Sequence, residues 1–316
     1  MSNLSATTLI IASIIDYIIG DPWGWPHPVR VMGWAIALGK NTILRYIRTA
    51  TGQKIAGTLL AILIIGGSGL GSWGLVYLAF QLNYWLGLML QCILLASCFA
   101  GKSLRDAAIA VLLPLEADDL TQARTTLSLY VGRDTDNLDR SEVLRAVLET
   151  VAENATDGVI APLFYAAIGG LPLAMAYKAA STLDSTIGYR ESPYTYLGWF
   201  SAKLEDILTW LPCRYTVLSI ALLSGHPWQV WQICRRDAPQ DPSPNSGWSE
   251  CAFAAALGVQ VGGVSTYKGI LKHKPLLGDA TQSFDIETVK QATQLMQISM
   301  LLLLGISIAI QLTALG

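Results

Sequence analysis

The chain has 316 residues, 52% of them hydrophobic and only 14% charged, against about 25% charged in an average soluble domain. That leaves too little polar surface to coat a water-soluble globule, and a bilayer is the simpler solvent. A net charge of −2 with no Lys/Arg block gives no sign of a nucleic-acid partner, and five cysteines (Cys92, Cys98, Cys213, Cys234, Cys251) without a C-x-x-C pair argue against a disulfide framework.

The sequence reads as all-α: a polytopic transmembrane helical bundle with cytoplasmic amphipathic helices and polar loops, forming one integral membrane domain over 1–316. The first apolar stretch, 4–19, has no basic residues before it and no small-residue cleavage site after it, so it is expected to stay as a membrane helix. Residues 20–54 carry Arg30, Lys40, Arg45, Arg48 and Lys54 against the single acid Asp21, which places this connection in the cytoplasm. From Ile55 to Gly101 there is no ionisable Asp, Glu, Lys, Arg or His. One span needs about 20 apolar residues, so two are expected, near 55–78 and 82–101. Gly66, Gly67, Gly69 and Gly71 in the first arm suit close helix packing.

Residues 102–157 are polar. Asp139 and Glu142 have capping-box spacing, followed by Val143, Leu144, Val147, Leu148 and Val151 on one face and Glu142, Arg145, Glu149 and Glu153 on the other. Residues 158–177 are uncharged but hold Pro162, Gly169, Gly170 and Pro172, which suggests a broken or re-entrant helix. The stretches 215–234 and 251–267 are marginal spans. A C-terminal span is expected near 291–313.

Four polar clusters stand out, because ionisable groups near a membrane core are costly and point to function. Gly20-Asp21-Pro22 with Pro26-His27-Pro28-Val29-Arg30 makes a stiff strap that can hold Asp21, His27 and Arg30, or a helix-ending loop with interfacial Trp23 and Trp25. Gly132-Arg133-Asp134-Thr135 is followed by Glu149, Glu153, Asn154 and Asp157. Carboxylates one turn apart can hold Mg²⁺, though Arg145 and Glu149 can equally form an ordinary i,i+4 pair. Lys178 with Asp184, Tyr189 and Arg190 can clamp a phosphate or anchor a helix at the interface, as Lys203, Glu205 and Asp206 would. Asp237-Ala238-Pro239 with Ser243-Pro244-Asn245 makes a defined turn that can aim backbone N–H groups at an anion, or is simply a loop. Ala96 to Ser103 has a relaxed P-loop pattern, but it ends an apolar helix instead of following a strand. The three histidines are too scattered for a zinc site.

At these clusters, and at Ala161-Pro162-Leu163-Phe164-Tyr165, Tyr177-Lys178-Ala179 and Thr182-Leu183-Asp184-Ser185 with Gly188-Tyr189, the chain resembles the cobinamide-phosphate synthase family of cobalamin biosynthesis, from Gly20 to about Asp279. It departs from the family at Asp241, Ser249 and Ser181, where His, Pro and Asn are frequent. The resemblance implies a multi-pass protein of the inner cell membrane with its active site facing the cytoplasm. It also implies an ATP- and Mg²⁺-dependent ligase joining adenosylcobyric acid to aminopropanol, its O-phosphate or ethanolamine phosphate.

On that basis Asp21, His27, Asp184 and Glu153 are expected to be catalytic. Arg30, Arg133, Asp134, Asn154, Lys178, Tyr189, Arg190, Ser243 and Asn245 are expected to bind the nucleotide and phosphates, and Glu149, Glu153 and Asp157 to hold Mg²⁺. The partners implied are the corrinoid, the amino-alcohol phosphate and the lipid bilayer, with room for other membrane-bound enzymes of the pathway and for a homo-oligomer. A transporter or scaffold for corrinoid intermediates is the alternative. For the clusters to act together, 158–177 should be re-entrant, or buried with both ends at one cytoplasmic cavity.

Overall fold

A computed structural model describes residues 6–21, 24 and 27–315. Pro22, Trp23, Trp25 and Pro26 of the expected strap lie outside the described residues. The chain is almost entirely helical, and its contacts group into two units where the sequence suggests one. The first comprises residues 1–100, 161–209 and 303–316, and the second residues 101–160 and 210–302. Among the described residues four helical runs are long and apolar enough to cross a membrane, or five if one bent pair counts as a span. The chain is therefore built as an integral membrane protein.

In the first unit, α1 (Ala6–Ile18) has 13 residues, about 20 Å at 1.5 Å per residue. That is short of a ~30 Å hydrocarbon core. The helix α2 (Pro28–Tyr46) starts on proline, and α3 (Ala50–Leu82) runs for 33 uninterrupted residues from its Thr49 cap. Asn83 then ends α3 in an extended conformation and caps α4 (Tyr84–Ala96) by accepting from Trp85 N and Leu86 N. The break between the two expected spans therefore lies at a single asparagine.

The core of this unit is α3 against α8 (Ala161–Ile187), with α2 and α4 packed on both. Close approach is visible at two glycines. A Cβ on Gly57 would lie 2.0 Å from the Leu197 carbonyl oxygen, and one on Gly69 would lie 3.0 Å from that of Pro172. Gly66, Gly67 and Gly71 face open space, so the expected packing role falls to Gly69 alone of those four. The helix α8 is broken where the sequence suggests: Gly169 has φ −135°, ψ 19° and Gly170 φ 67°, ψ −158°. A residue with a Cβ rarely takes the latter. The short α9 (Tyr194–Leu197), the first half of α10 (Trp199–Leu223) and the chain's last residues from Leu303 complete the unit.

The second unit begins with α5 (Gly101–Glu116) and α6 (Leu120–Leu127). The helix α7 (Arg140–Asn154) opens with the expected capping box: Glu142 N donates to Asp139 Oδ1 at 2.8 Å, and Asp139 N to Glu142 Oε2 at 2.8 Å. A π-helical turn, Ala155–Ile160, joins α7 to α8. The α10 helix ends at Ser224-Gly225-His226, and α11 (Pro227–Asp237) follows, so 215–234 is divided between two helices.

The stretch 251–267 is divided too. It holds the end of α12 (Ser246–Leu257) and β1 (Val261–Tyr267), which pairs antiparallel with β2 (Ile270–Leu277). Its apolar residues follow a strand period after Gly258, which is why they cannot extend one helix across a bilayer. The last helix, α13 (Ile286–Leu315), contains the C-terminal apolar stretch.

Candidate functional sites

In the first unit the described part of the strap is held by one imidazole. His27 Nδ1 accepts from Val29 N at 3.3 Å, capping α2, so the ring proton sits on Nε2, which donates to Asp21 Oδ1 at 2.9 Å. Both ring nitrogens are thereby engaged. Asp21 thus orients a capping histidine, and His27 has no lone pair available as a base while this arrangement lasts. Asp21 and His27 also close one end of a cavity of about 460 Å³, whose walls are apolar side chains of α1 and α4 such as Ile11, Ile15, Leu88 and Met89. Arg30 points to solvent from the first turn of α2.

Lys178 is half-buried on α8. Its helix packs against α2, which begins just after the strap, and against α4. Asp184 folds over Gly188, where a Cβ would meet its Oδ1 at 1.9 Å. The Tyr189 hydroxyl donates to Ser185 O at 2.9 Å, and Tyr189 and Arg190 are exposed.

A buried relay that no sequence motif marks lies beside this cluster. The Tyr177 hydroxyl lies 2.8 Å from Thr209 Oγ1, which donates to the buried Glu205. Glu205 is therefore no interfacial anchor. Its only sequence signal is a carboxylate four residues before a threonine inside an apolar helix.

In the second unit the Gly132–Thr135 motif is engaged with the β-hairpin. Asp134 accepts from both N–H groups of the hairpin turn, Lys268 N at 3.0 Å and Gly269 N at 2.8 Å, and its own N–H donates to Thr266 O. Arg133 donates to Glu149 and, at 3.3 Å, to Ser265 Oγ. Glu149 Oε1 accepts from Gly262 N at 2.8 Å. Arg145, instead of pairing with Glu149, reaches the hairpin carbonyls of Gly262 at 2.8 Å and Val264 at 3.3 Å. Burial pulls the Arg133 guanidinium down, but the adjacent Glu149 carboxylate outweighs it and the net shift is upward. The motif and α7 together thus form a charged seat for the β-hairpin.

This alters the expected metal set. Glu149 is 3% exposed with both oxygens bonded, Glu153 and Asn154 are exposed, and Asp157 is half-buried on the π turn. Among the described residues no three His, Cys, Asp or Glu groups are placed to hold a metal ion. Glu149, Glu153 and Asp157 therefore do not fit Mg²⁺ as a set.

The π turn is supported by hydroxyls: Thr156 Oγ1 donates to Thr216 Oγ1 at 3.0 Å and lies 2.9 Å from Ser249 Oγ, which donates to Ala152 O. Such turns are rare and concentrate at functional sites. Ser243 and Asn245 build the start of α12. Ser243 Oγ accepts from Asn245 N and Ser246 N, Asp241 Oδ1 accepts from Ser243 N, and the buried Asn245 takes the Cys213 thiol on its carbonyl. Arg214 seals this loop by donating to Pro244 O and stacking over Trp210 and Trp248.

A further pair was not singled out from sequence. Glu250 on α12 is fully buried, and its Oε1 accepts from Lys274 Nζ of β2 at 3.1 Å. Burial pushes its carboxyl up, while Lys274 pulls it back. A lone carboxylate in the apolar run of α12 was the available signal, and nothing marked Lys274 as its partner.

The expected residues thus divide between the units. Asp21, His27, Arg30, Lys178, Asp184, Tyr189 and Arg190 belong to the first, and Arg133, Asp134, Glu149, Glu153, Asn154, Asp157, Ser243 and Asn245 to the second.

Comparison with known proteins adds an independent line. The family profile described as "CobD/Cbib protein" matches residues 9–296. A Synechocystis protein named "Cobalamin biosynthesis protein CobD" is 50% identical over 312 residues, covering 96% of this chain and 91% of its own. "Cobalamin biosynthesis protein CbiB" of Salmonella arizonae is 40% identical, covering 95% of each chain, and the Citrobacter koseri protein named CobD is also 40% identical, covering 97% of each. No solved structure matches.

Proposed function

Since the chain belongs to the CobD/CbiB family, we propose that it is a cobalamin-biosynthesis enzyme of the cytoplasmic (inner) membrane, an adenosylcobinamide-phosphate synthase that forms an amide between adenosylcobyric acid and an amino-alcohol phosphate. The observation that carries this reading is similarity over nearly the whole chain to proteins named for cobalamin biosynthesis. Packing of α8, which carries Lys178 and Asp184, against α2, which follows the strap, is consistent with it.

A carboxylate is a poor electrophile at neutral pH, and ATP would supply the phosphoryl group that turns it into an acyl phosphate with a leaving group. This chain's part is to hold charges and protons. Lys178 and Arg190 balance phosphate charge, and Asp184 takes the proton released as the amine attacks. Asp21 keeps His27 and the start of α2 in place. Glu153, one of several exposed carboxylates of the second unit, is assigned a catalytic role by the family resemblance alone. Because Glu149, Glu153 and Asp157 do not form a metal set, no step runs through a protein-held Mg²⁺. Arg133, Asp134, Ser243 and Asn245 act through the hairpin and loop that they build. The active site faces the cytoplasm in this reading, where the substrates are.

The test is amide formation by detergent-purified protein given adenosylcobyric acid, aminopropanol phosphate and Mg²⁺, with and without ATP. Product only with ATP supports the ligase. No product from folded protein under either condition would return the transporter or scaffold reading to first place. Near-normal turnover in both Glu153→Gln and Asp184→Asn would sink the assignment of these two residues.

A further inference from the structure

The β1–β2 hairpin presents a combination that the proposed chemistry does not use. At its tip the consecutive Ile270 and Leu271, one on each face of β2, are 65% and 64% exposed, with Lys268 before them and Lys272 and His273 after them, all exposed. From Cys251 to Gly278 the chain contains Lys268, Lys272, Lys274 and His273 and no Asp or Glu, in a protein whose net charge is −2. Lys268 sits in the two-residue turn with φ 51°, a left-handed conformation that asparagine or glycine takes more readily.

An isolated two-stranded hairpin is marginal in water. Asp134 on the turn amides, and Arg133, Glu149 and Arg145 on the stem, make this one a rigid finger. Rigidity matters here because a floppy tip would fold its two aliphatic side chains away from water.

From these features we infer that the hairpin tip docks on the bilayer surface, with Ile270 and Leu271 entering the headgroup–acyl boundary and Lys268 and Lys272 pairing with anionic lipid headgroups. Exposed aliphatic side chains flanked by two lysines are a composition that interfacial binding favours, and the carboxylate on this turn, Asp134, is taken up by the turn amides. Lipid is also within reach of the hairpin's base. Eight residues, Gly278 to Asp285, join Leu277 to α13, which is long and apolar enough to cross a membrane, and a chain of that length spans at most about 28 Å.

The experiment uses the full chain carrying Ile270→Cys or, separately, Leu271→Cys, labelled with a polarity-sensitive fluorophore. The native cysteines are all buried, and both replaced side chains are exposed, so folding is not at stake. The protein is placed in nanodiscs of phosphatidylcholine alone or with one third phosphatidylglycerol, each with and without a quencher on the acyl chain. Blue-shifted emission quenched from the lipid in the anionic discs, with the inserted-to-free ratio falling about fivefold for each of Lys268→Gln and Lys272→Gln, supports the inference. Emission typical of water in both discs overturns it. Lipid quenching equal in both discs overturns the headgroup assignment, and a shift that follows the number of protein copies per disc assigns the tip to a second copy and overturns it as well.

Discussion

The hairpin seat can be tested by removing its one buried cation. In Arg133→Met the Glu149 carboxylate, whose side chain is 4% exposed against 7% for Arg133, loses its charged partner and keeps only the Gly262 N–H. Breaking a buried ion pair from one side costs about 3–5 kcal/mol, and the weaker bond to Ser265 Oγ goes with it. If the hairpin opens as a local unit, amide exchange of Val261–Tyr267 should accelerate by roughly a hundredfold or more, at about 1.4 kcal/mol per tenfold. The assay is hydrogen–deuterium exchange with peptide-level mass spectrometry on the detergent-solubilised protein. Adding Glu149→Gln to Arg133→Met should recover much of the loss, because the stranded charge is removed. An increase below about threefold in Arg133→Met, or a double variant no better than the single, would refute the view that the charge pair holds the hairpin down.

Three further outcomes follow from the packing and charge environment. Gly57→Ala should lower the thermal stability of the solubilised protein by about 1–3 kcal/mol, since its Cβ would sit 2.0 Å from a backbone oxygen. Gly66→Ala, facing open space, should leave it unchanged or slightly raised, and equal effects of the two would contradict the α3 packing described. Burial alone would raise the Asp237 carboxyl, but the bonds from Arg236 and Gly278 N outweigh it and hold it low. Its stabilisation is therefore complete above the ordinary carboxylate range and is lost as pH falls through the depressed value. Melting curves between pH 6 and 3, as working conditions, should thus be flatter in Asp237→Asn than in the parent. Finally, Ser249→Ala removes the hydroxyl that bonds Ala152 O and lies against Thr156, and should cost about 1 kcal/mol, with faster exchange confined to the π turn. Unchanged exchange there would mean that the turn does not depend on this serine.

Local signals were legible in the sequence and distant ones were not. The Asp139–Glu142 capping box, the uncharged run of α3 after Lys54 and the Gly169–Gly170 break all depend on residues within a turn or two of each other, and each is found where the sequence points. The hairpin was hidden because hydropathy averaged over Cys251–Tyr267 merges a helix with a strand. Lys268–Gly269 is not one of the Asn-Gly or Gly-Gly pairs that mark a two-residue hairpin turn, so the turn itself gives little signal. Arg133 and Asp134 resemble ligand-binding residues because they are charged and flanked by glycine and threonine. Their partners Ser265, Lys268 and Gly269 lie 132 to 135 positions away, and no spacing rule reaches that far. Glu149 illustrates the same limit, since its i,i+4 neighbours Arg145 and Glu153 are visible in sequence and neither is its partner.

The break in α8 has an electrical consequence. Pro172 has no N–H to give the carbonyl of Ile168, and Gly169 and Gly170 leave helical geometry just before it, so the ladder of backbone hydrogen bonds is interrupted there. The Ala161–Ile168 segment ends with partial negative charge, and the segment from Leu171 begins with partial positive charge, so that opposed helix ends face each other across two glycines. In a protein whose apolar stretches are nearly devoid of ionic groups, this places a polar feature made only of backbone within the first unit, one that no side-chain substitution short of replacing the glycines would remove.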